Sequence, residues 1–77
     1  MIVYRIKKYL VGKYSKTLYC DVTCVTLEDS IDEYNLFVQS CKQEKNLDNN
    51  KKFEVVIFRY DDDDKIEYEE KIKECVI

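Results

Sequence analysis

The chain has 77 residues, 45% of them apolar and 38% charged, with a formal net charge of −3 and no histidine or proline. That length holds one domain built on one core, so residues 1–77 are expected to fold as a unit, with a thin margin because so small a domain buries only roughly 60% of its unfolded surface. A disordered linker is excluded by seven tyrosines, three phenylalanines and a single glycine, Gly12, and no apolar run approaches the ~18 residues of a membrane span.

The opening segment, MIVYRIKKYL, alternates. Ile2, Tyr4, Ile6 and Leu10 share one parity, interrupted by Lys8, while Arg5, Lys7 and Tyr9 take the other. That period of two predicts a strand. Its internal charges are not the pattern of a signal peptide. After the Gly12-Lys13-Tyr14-Ser15-Lys16 loop a second strand is predicted, with Leu18, Cys20, Val22 and Cys24 on one face. A hairpin register that sets Leu10 against Leu18, Ile6 against Val22 and Tyr4 against Cys24 also sets Lys7 against Asp21, Tyr9 against Tyr19 and Val3 against Val25. Such pairing of opposite charges and of aromatics is what cross-strand energetics favour.

Thr26 then stands as an N-cap with Asp29 three residues on, close to a capping box. Apolar positions 27, 31, 34, 38 and 41 make a helical stripe that should end near Asn46, before the Asp48-Asn49-Asn50 loop. Two more strands follow, KFEVVIFRY and KIEYEEKIKECVI, with a hairpin register that puts Phe53 opposite Ile72, Ile57 opposite Tyr68 and Glu54 opposite Lys71. The expected fold is therefore α+β in the order β-β-α-β-β: an antiparallel four-stranded sheet with one helix packed on one face. The hairpin arithmetic leaves strand order open.

Between the last two strands runs DDDDK, Asp61 to Lys65, a sequence that also matches the enteropeptidase recognition site of purification tags. Its position inside a hairpin argues for a solvated turn, where water screens adjacent carboxylates and aspartate suits the backbone. The spaced oxygens, bend glycine and bidentate glutamate of an EF-hand are missing. Four cysteines could suggest zinc, but Cys20 and Cys24 on one strand lie roughly 13 Å apart and cannot share an ion with bonds of about 2.3 Å. Buried, reduced, metal-free thiols are expected, in keeping with a cytoplasmic setting. No cofactor is expected either.

Without histidine, a glycine-flanked nucleophile or a phosphate loop, the chain is not expected to be an enzyme. Charge is polarised instead. Residues 1–20 hold Arg5, Lys7, Lys8, Lys13 and Lys16 and no acid, whereas 21–36 hold Asp21, Glu28, Asp29, Asp32 and Glu33 and no base. A nucleic-acid surface on the N-terminal hairpin is the alternative function, weakened by a pI near 4.9. The stronger signal is an apolar excess on the face away from the helix, where Val56, Phe58 and Tyr60 are expected to join Val3, Arg5, Tyr9, Tyr19 and Val25 as a protein-binding patch. The helix-packed neighbour, Ile57, belongs to the core. The bland counterpart is that strand three is central and its neighbours' long side chains cover it.

The expected function is thus a small acidic protein-binding module acting by surface occlusion, through this face or through an acidic helix edge. In size and element order the chain resembles some small bacteriophage inhibitors of host defences, including anti-CRISPR proteins. That resemblance implies a viral inhibitor in the host cytoplasm whose partner is a larger host protein or complex. A second copy of the chain is the other candidate occupant of the face.

Overall fold

The computed structural model describes residues 1–61 and 69–77. Alternating polarity yields four strands, β1 (Ile2–Val11), β2 (Lys16–Cys24), β3 (Phe53–Asp61) and β4 (Glu69–Val76), and one helix, α1 (Leu27–Leu47). All neighbours are antiparallel and the order is β2-β1-β3-β4. The α+β fold and the β-β-α-β-β order agree with the sequence pattern. The helix carries the chain from β2 over β1 to β3, so β1 and β3 are central and β2 and β4 are edges.

Local signals start and stop the helix. The Thr26 Oγ1 accepts a hydrogen bond from the Asp29 N–H at 3.2 Å, satisfying one of the free amides of the first turn. At the other end the Asp48 N–H donates to the Glu44 carbonyl, and the Asp48 carboxylate accepts from the Asn50 N–H at 3.0 Å. The buried line of the helix is Ser30, Tyr34 and Cys41, with Phe37 and Val38 partly covered beside it. This corrects the expected stripe, because Leu27 and Ile31 are exposed. Ser30 replaces them at the interface since it is small and its hydroxyl donates to the Leu27 carbonyl at 2.7 Å, leaving no polar atom wanting. Beneath the helix Ile6, Phe53, Val55 and Ile57 complete the core.

Two registers differ from expectation. The first hairpin pairs as predicted from Tyr4–Cys24 to Lys8–Cys20, then shifts so that Tyr9 faces Leu18 and Leu10 faces Thr17. The extra residue is Tyr19, whose ring comes to lie 5.0 Å from the Lys8 ammonium. Val25 lies beyond β2, so it does not pair with Val3. In the second hairpin Phe53 pairs with Ile77, Val55 with Cys75, Ile57 with Lys73 and Phe58 with Lys71. The expected Phe53–Ile72 and Glu54–Lys71 pairs are therefore wrong. That register would have left 73–77 overhanging the sheet, whereas the observed one packs Cys75 and Ile77 against the core. The Tyr68 partner expected for Ile57 lies outside the described residues, as does the Asp62–Lys65 stretch of the aspartate run; Asp61 ends β3, opposite Ile2.

Lys8, the polar interruption in the first strand, is on the helix side and buried. Its Nζ sits 3.5 Å from Glu44 Oε1 and 3.4 Å from Ser40 Oγ, between the rings of Tyr19 and Phe53. Those are long polar contacts, so the site holds the charge more by proximity and ring faces than by tight hydrogen bonds. Three stability predictions follow from this core. Ile57→Ala removes a fully buried side chain beneath the helix and should cost about 2–5 kcal/mol, enough to unfold the domain at moderate temperature by circular dichroism. Lys8→Met should preserve or raise the melting temperature, because an apolar stem replaces a desolvated charge. Glu44→Ala should lower it by about 1–2 kcal/mol, since it strands the ammonium. The opposite ordering of those two variants would show that the ion pair is a net stabiliser.

Candidate functional site

No second layer among the described residues covers the face of the sheet away from α1. Its side chains form cross-strand rows. Leu18, Tyr9, Glu54 and Val76 make the first; Asp21, Lys7, Val56 and Glu74 the second; Thr23, Arg5, Phe58 and Lys71 the third; Val3, Tyr60 and Glu69 the fourth. The apolar members alternate with long charged ones, and the charged ones fold over them. Lys7 Nζ lies 5.2 Å from the Phe58 ring centre, Arg5 Cζ 5.1 Å from that of Tyr60, and Lys16 Nζ 4.7 Å from that of Tyr9.

Carboxylates then pin the cations. Glu69 Oε1 is 3.6 Å from Lys7 Nζ and 3.9 Å from Arg5 Nη1, and Glu54 Oε1 is 3.2 Å from Lys16 Nζ. Lys71 and Glu74 meet at 2.9 Å, and that hydrogen bond raises the lysine's pKa. Each exposed cation–ring contact is worth about 0.5–1 kcal/mol and each exposed ion pair about 0–1 kcal/mol. Together they flank an aliphatic floor. Val56 is fully buried and Val3 nearly so, with no helix on that side.

The residues expected in one patch are therefore divided. Arg5, Tyr9, Phe58 and Tyr60 share the open face as half-exposed side chains, with Val56 and Val3 beneath them. Tyr19 and Val25 stand elsewhere. The β2 bulge sends Tyr19 to the helix side beside Lys8. Val25, 64% exposed, lies past the strand end in a groove between β2 and α1. Glu69 is on the open face, and Lys73 is on the helix side, its ammonium 5.1 Å from the Tyr34 ring. The irregularity between Ile57 and Phe58 reverses the parity of β4 at Ile72 and so moves Lys73 across. The carboxylate that meets Lys7 is Glu69 rather than its register partner Asp21.

The β2–α1 groove, about 500 Å³, is the feature that strand arithmetic missed. It is lined by Val22, Thr23, Cys24 and Val25 from the β2 side and by Asp29, Asp32 and Glu33 from the helix. The signal for it was present in the base-free stretch 21–36, which places its acids at the start of the helix. Among the described residues no group of three or more carboxylates and thiols is close enough to hold a metal ion, and no helix is long and apolar enough to cross a membrane.

The cysteines do not all lie where expected. Cys41 is buried, but Cys20 is exposed and Cys24 only half-buried, because edge strand β2 extends past the cover of the helix. Burial pushes the Cys41 thiol pKa up, partly opposed by nearby Lys8, and burial followed by the Glu33 and Asp29 charges does the same for Cys24. The Tyr34 hydroxyl is raised by burial first and then by Cys75.

Native protein treated with a thiol reagent should accordingly modify Cys20 first and Cys41 only on unfolding, as peptide mapping would report. The raised groups keep their protons in the fold to higher pH than in the unfolded chain, where a thiol ionises near about 8.5. Their contribution is complete below that pH and is lost as pH climbs through the raised folded values. The melting temperature should fall on the alkaline side, and a Cys41→Ala variant should show a shallower fall. An equal slope in both proteins would contradict the assignment to Cys41.

Comparison with protein-family models, with the curated proteins and with the solved structures finds no match.

Proposed function

We infer that the chain is a small non-enzymatic protein-binding module that occludes a surface on a larger host protein or complex. The observation that carries this reading is the juxtaposition of Arg5, Tyr60, Phe58 and Tyr9 on one face that no second layer covers among the described residues, with cation–ring and carboxylate contacts beside them. Aromatic residues and arginine supply most of the energy at protein interfaces. Side chains already held in place lose little further entropy when a partner arrives. A module that blocks rather than transforms its target needs nothing else. That role is also the one implied by the resemblance in size and element order to phage inhibitors of host defences.

Nucleic acid is the weaker reading for a specific reason. The cations of this face are already engaged, Arg5 and Lys7 by Glu69 and Lys16 by Glu54. A phosphate would have to displace a carboxylate at each position, and the face would lose the clamp that orders its rings.

The test compares wild-type protein with an Arg5→Ala/Tyr60→Ala variant and with Phe58→Ser as affinity baits in host lysate. All three should keep the α+β circular dichroism spectrum, with Phe58→Ser less costly than Ile57→Ala because Phe58 is only partly buried. One protein retained by wild type and lost with both variants is the expected result. Salt-sensitive retention on heparin or nucleic acid, with no protein retained, would overturn the reading. Unfolding by Phe58→Ser while Ile57→Ala folds would mean that the open face is the core.

A further inference from the structure

The two edges of the sheet are built differently. Five of the eight residues of β4 are charged, namely Glu69, Glu70, Lys71, Lys73 and Glu74, which is how sheets discourage further strand pairing. Edge strand β2 is guarded only near its start, by Lys16 and the bulge at Tyr19. From Thr17 to Cys24 its only charge is Asp21, and Leu18 and Tyr19 are each about half exposed. Among the described residues nothing pairs with its outer side, so a row of backbone donors and acceptors faces solvent. The helix-facing side of β2 is also short of cover, since Cys20 is exposed and Val22 and Cys24 only half-buried.

Charge selects what fits there. The start of β2 is basic, with Lys13 and Lys16, and the region just past its end is acidic, with Glu28, Asp29, Asp32 and Glu33. An antiparallel partner strand that brought the same polarity would set its basic start beside this acidic end, and the reverse at the other end. We propose that the outer edge of β2 pairs with β2 of a second copy of this chain across a two-fold axis.

The bulge at Tyr19 limits regular pairing to Cys20–Cys24, so the axis passes at Val22, with Cys20 opposite the partner's Cys24. The product is one eight-stranded sheet with both helices on the same side. The apolar shelves of Val22 and Val25 meet between the helices, and Lys13 of each hairpin loop extends toward the other copy's acidic helix start, while Lys16 stays with Glu54 on the open face. Such an interface is isologous and closed. The guarded β4 edges end the sheet at two copies instead of letting it extend as a fibre. This surface is separate from the open face and would present that face twice.

Light scattering and sedimentation on the full chain from micromolar to millimolar concentration should show a species of twice the 9.3 kDa chain mass. The register gives a sharper readout. Within one chain Cys20 and Cys24 lie four residues apart along a strand, roughly 13 Å, too far for a disulfide. Across the two-fold axis their Cα atoms come within about 4.5–5.5 Å. Diamide, which takes up the two electrons and two protons released by two thiols, should therefore join Cys20 of one copy to Cys24 of the other. Peptide mapping would identify that bond, which Cys20→Ser and Cys24→Ser each abolish and a mixture of the two restores.

Lys13→Glu and Asp29→Lys/Asp32→Lys, each checked for its native circular dichroism spectrum, should each weaken self-association by roughly tenfold. Mixed together they should form a heterodimer. A monomer at every concentration with no Cys20–Cys24 crosslink would overturn the proposal. So would a dimer that lacks this crosslink and ignores both charge reversals, which would have to use another face.

Discussion

One helix serves a sheet that has two faces. On the covered side Ile6, Val55 and Ile57 are closed by Tyr34 and Cys41 in the ordinary way. On the other side Val56 and Val3 are buried with no helix among the described residues over them, and they lie in rows flanked by Lys7 over Phe58 and Arg5 over Tyr60, with Glu69 near both cations. The molecule measures 41 × 28 × 15 Å, a slab whose thickness is the sheet plus one helix. In so thin a domain, buried apolar area is scarce. A long cationic stem laid across a ring adds apolar cover while its charged end stays in water. The fold and the candidate binding face thus depend on the same lateral contacts, and a partner would meet a surface that folding has already ordered.

Strand register is set by similar needs on the covered side. Lys8 interrupts the apolar face of β1 and cannot be buried unaided. The bulge at Tyr19 supplies a ring beside its ammonium, and α1 supplies Glu44 and Ser40. In the second hairpin the register is governed by the C-terminus. Phe53 and Ile77 exchange backbone hydrogen bonds at 3.0 and 2.9 Å, which places Cys75 and Ile77 against the core. Both choices follow burial before loop length. That order of priority is expected when one residue of slip would carry a strand's apolar set to the wrong face.

The elements were legible because their signals are local. Alternation around Ile6, the Thr26 cap and the loop at Asp48–Asn50 each depend on neighbours in sequence. What depends on distant residues was not legible. Pairing of β1 with β3 brings Arg5 beside Phe58 and Tyr60, and no hairpin arithmetic reports it. A bulge displaces Tyr19 from the expected patch, and another moves Lys73 across the sheet. Residues such as Phe58 and Tyr60 were recognisable as an apolar surplus on the far face. Arg5 was already placed on that face, and cover by the long side chains of neighbouring strands was the alternative reading; which cation meets which ring was not legible. Ser30, polar and therefore outside any apolar stripe, proved to be fully buried on the helix.

Burial of Val56 on a face with no helix among the described residues is what a cation–ring roof would produce, and it can be measured residue by residue. With a soluble paramagnetic probe in dilute protein, the methyl groups of Val56 should relax as slowly as those of Val55 under the helix. Those of Val25, open to solvent, should relax much faster. Val56 methyls that relax like Val25 would contradict the account, because the cations would then be free in solution and the rings of the open face unordered.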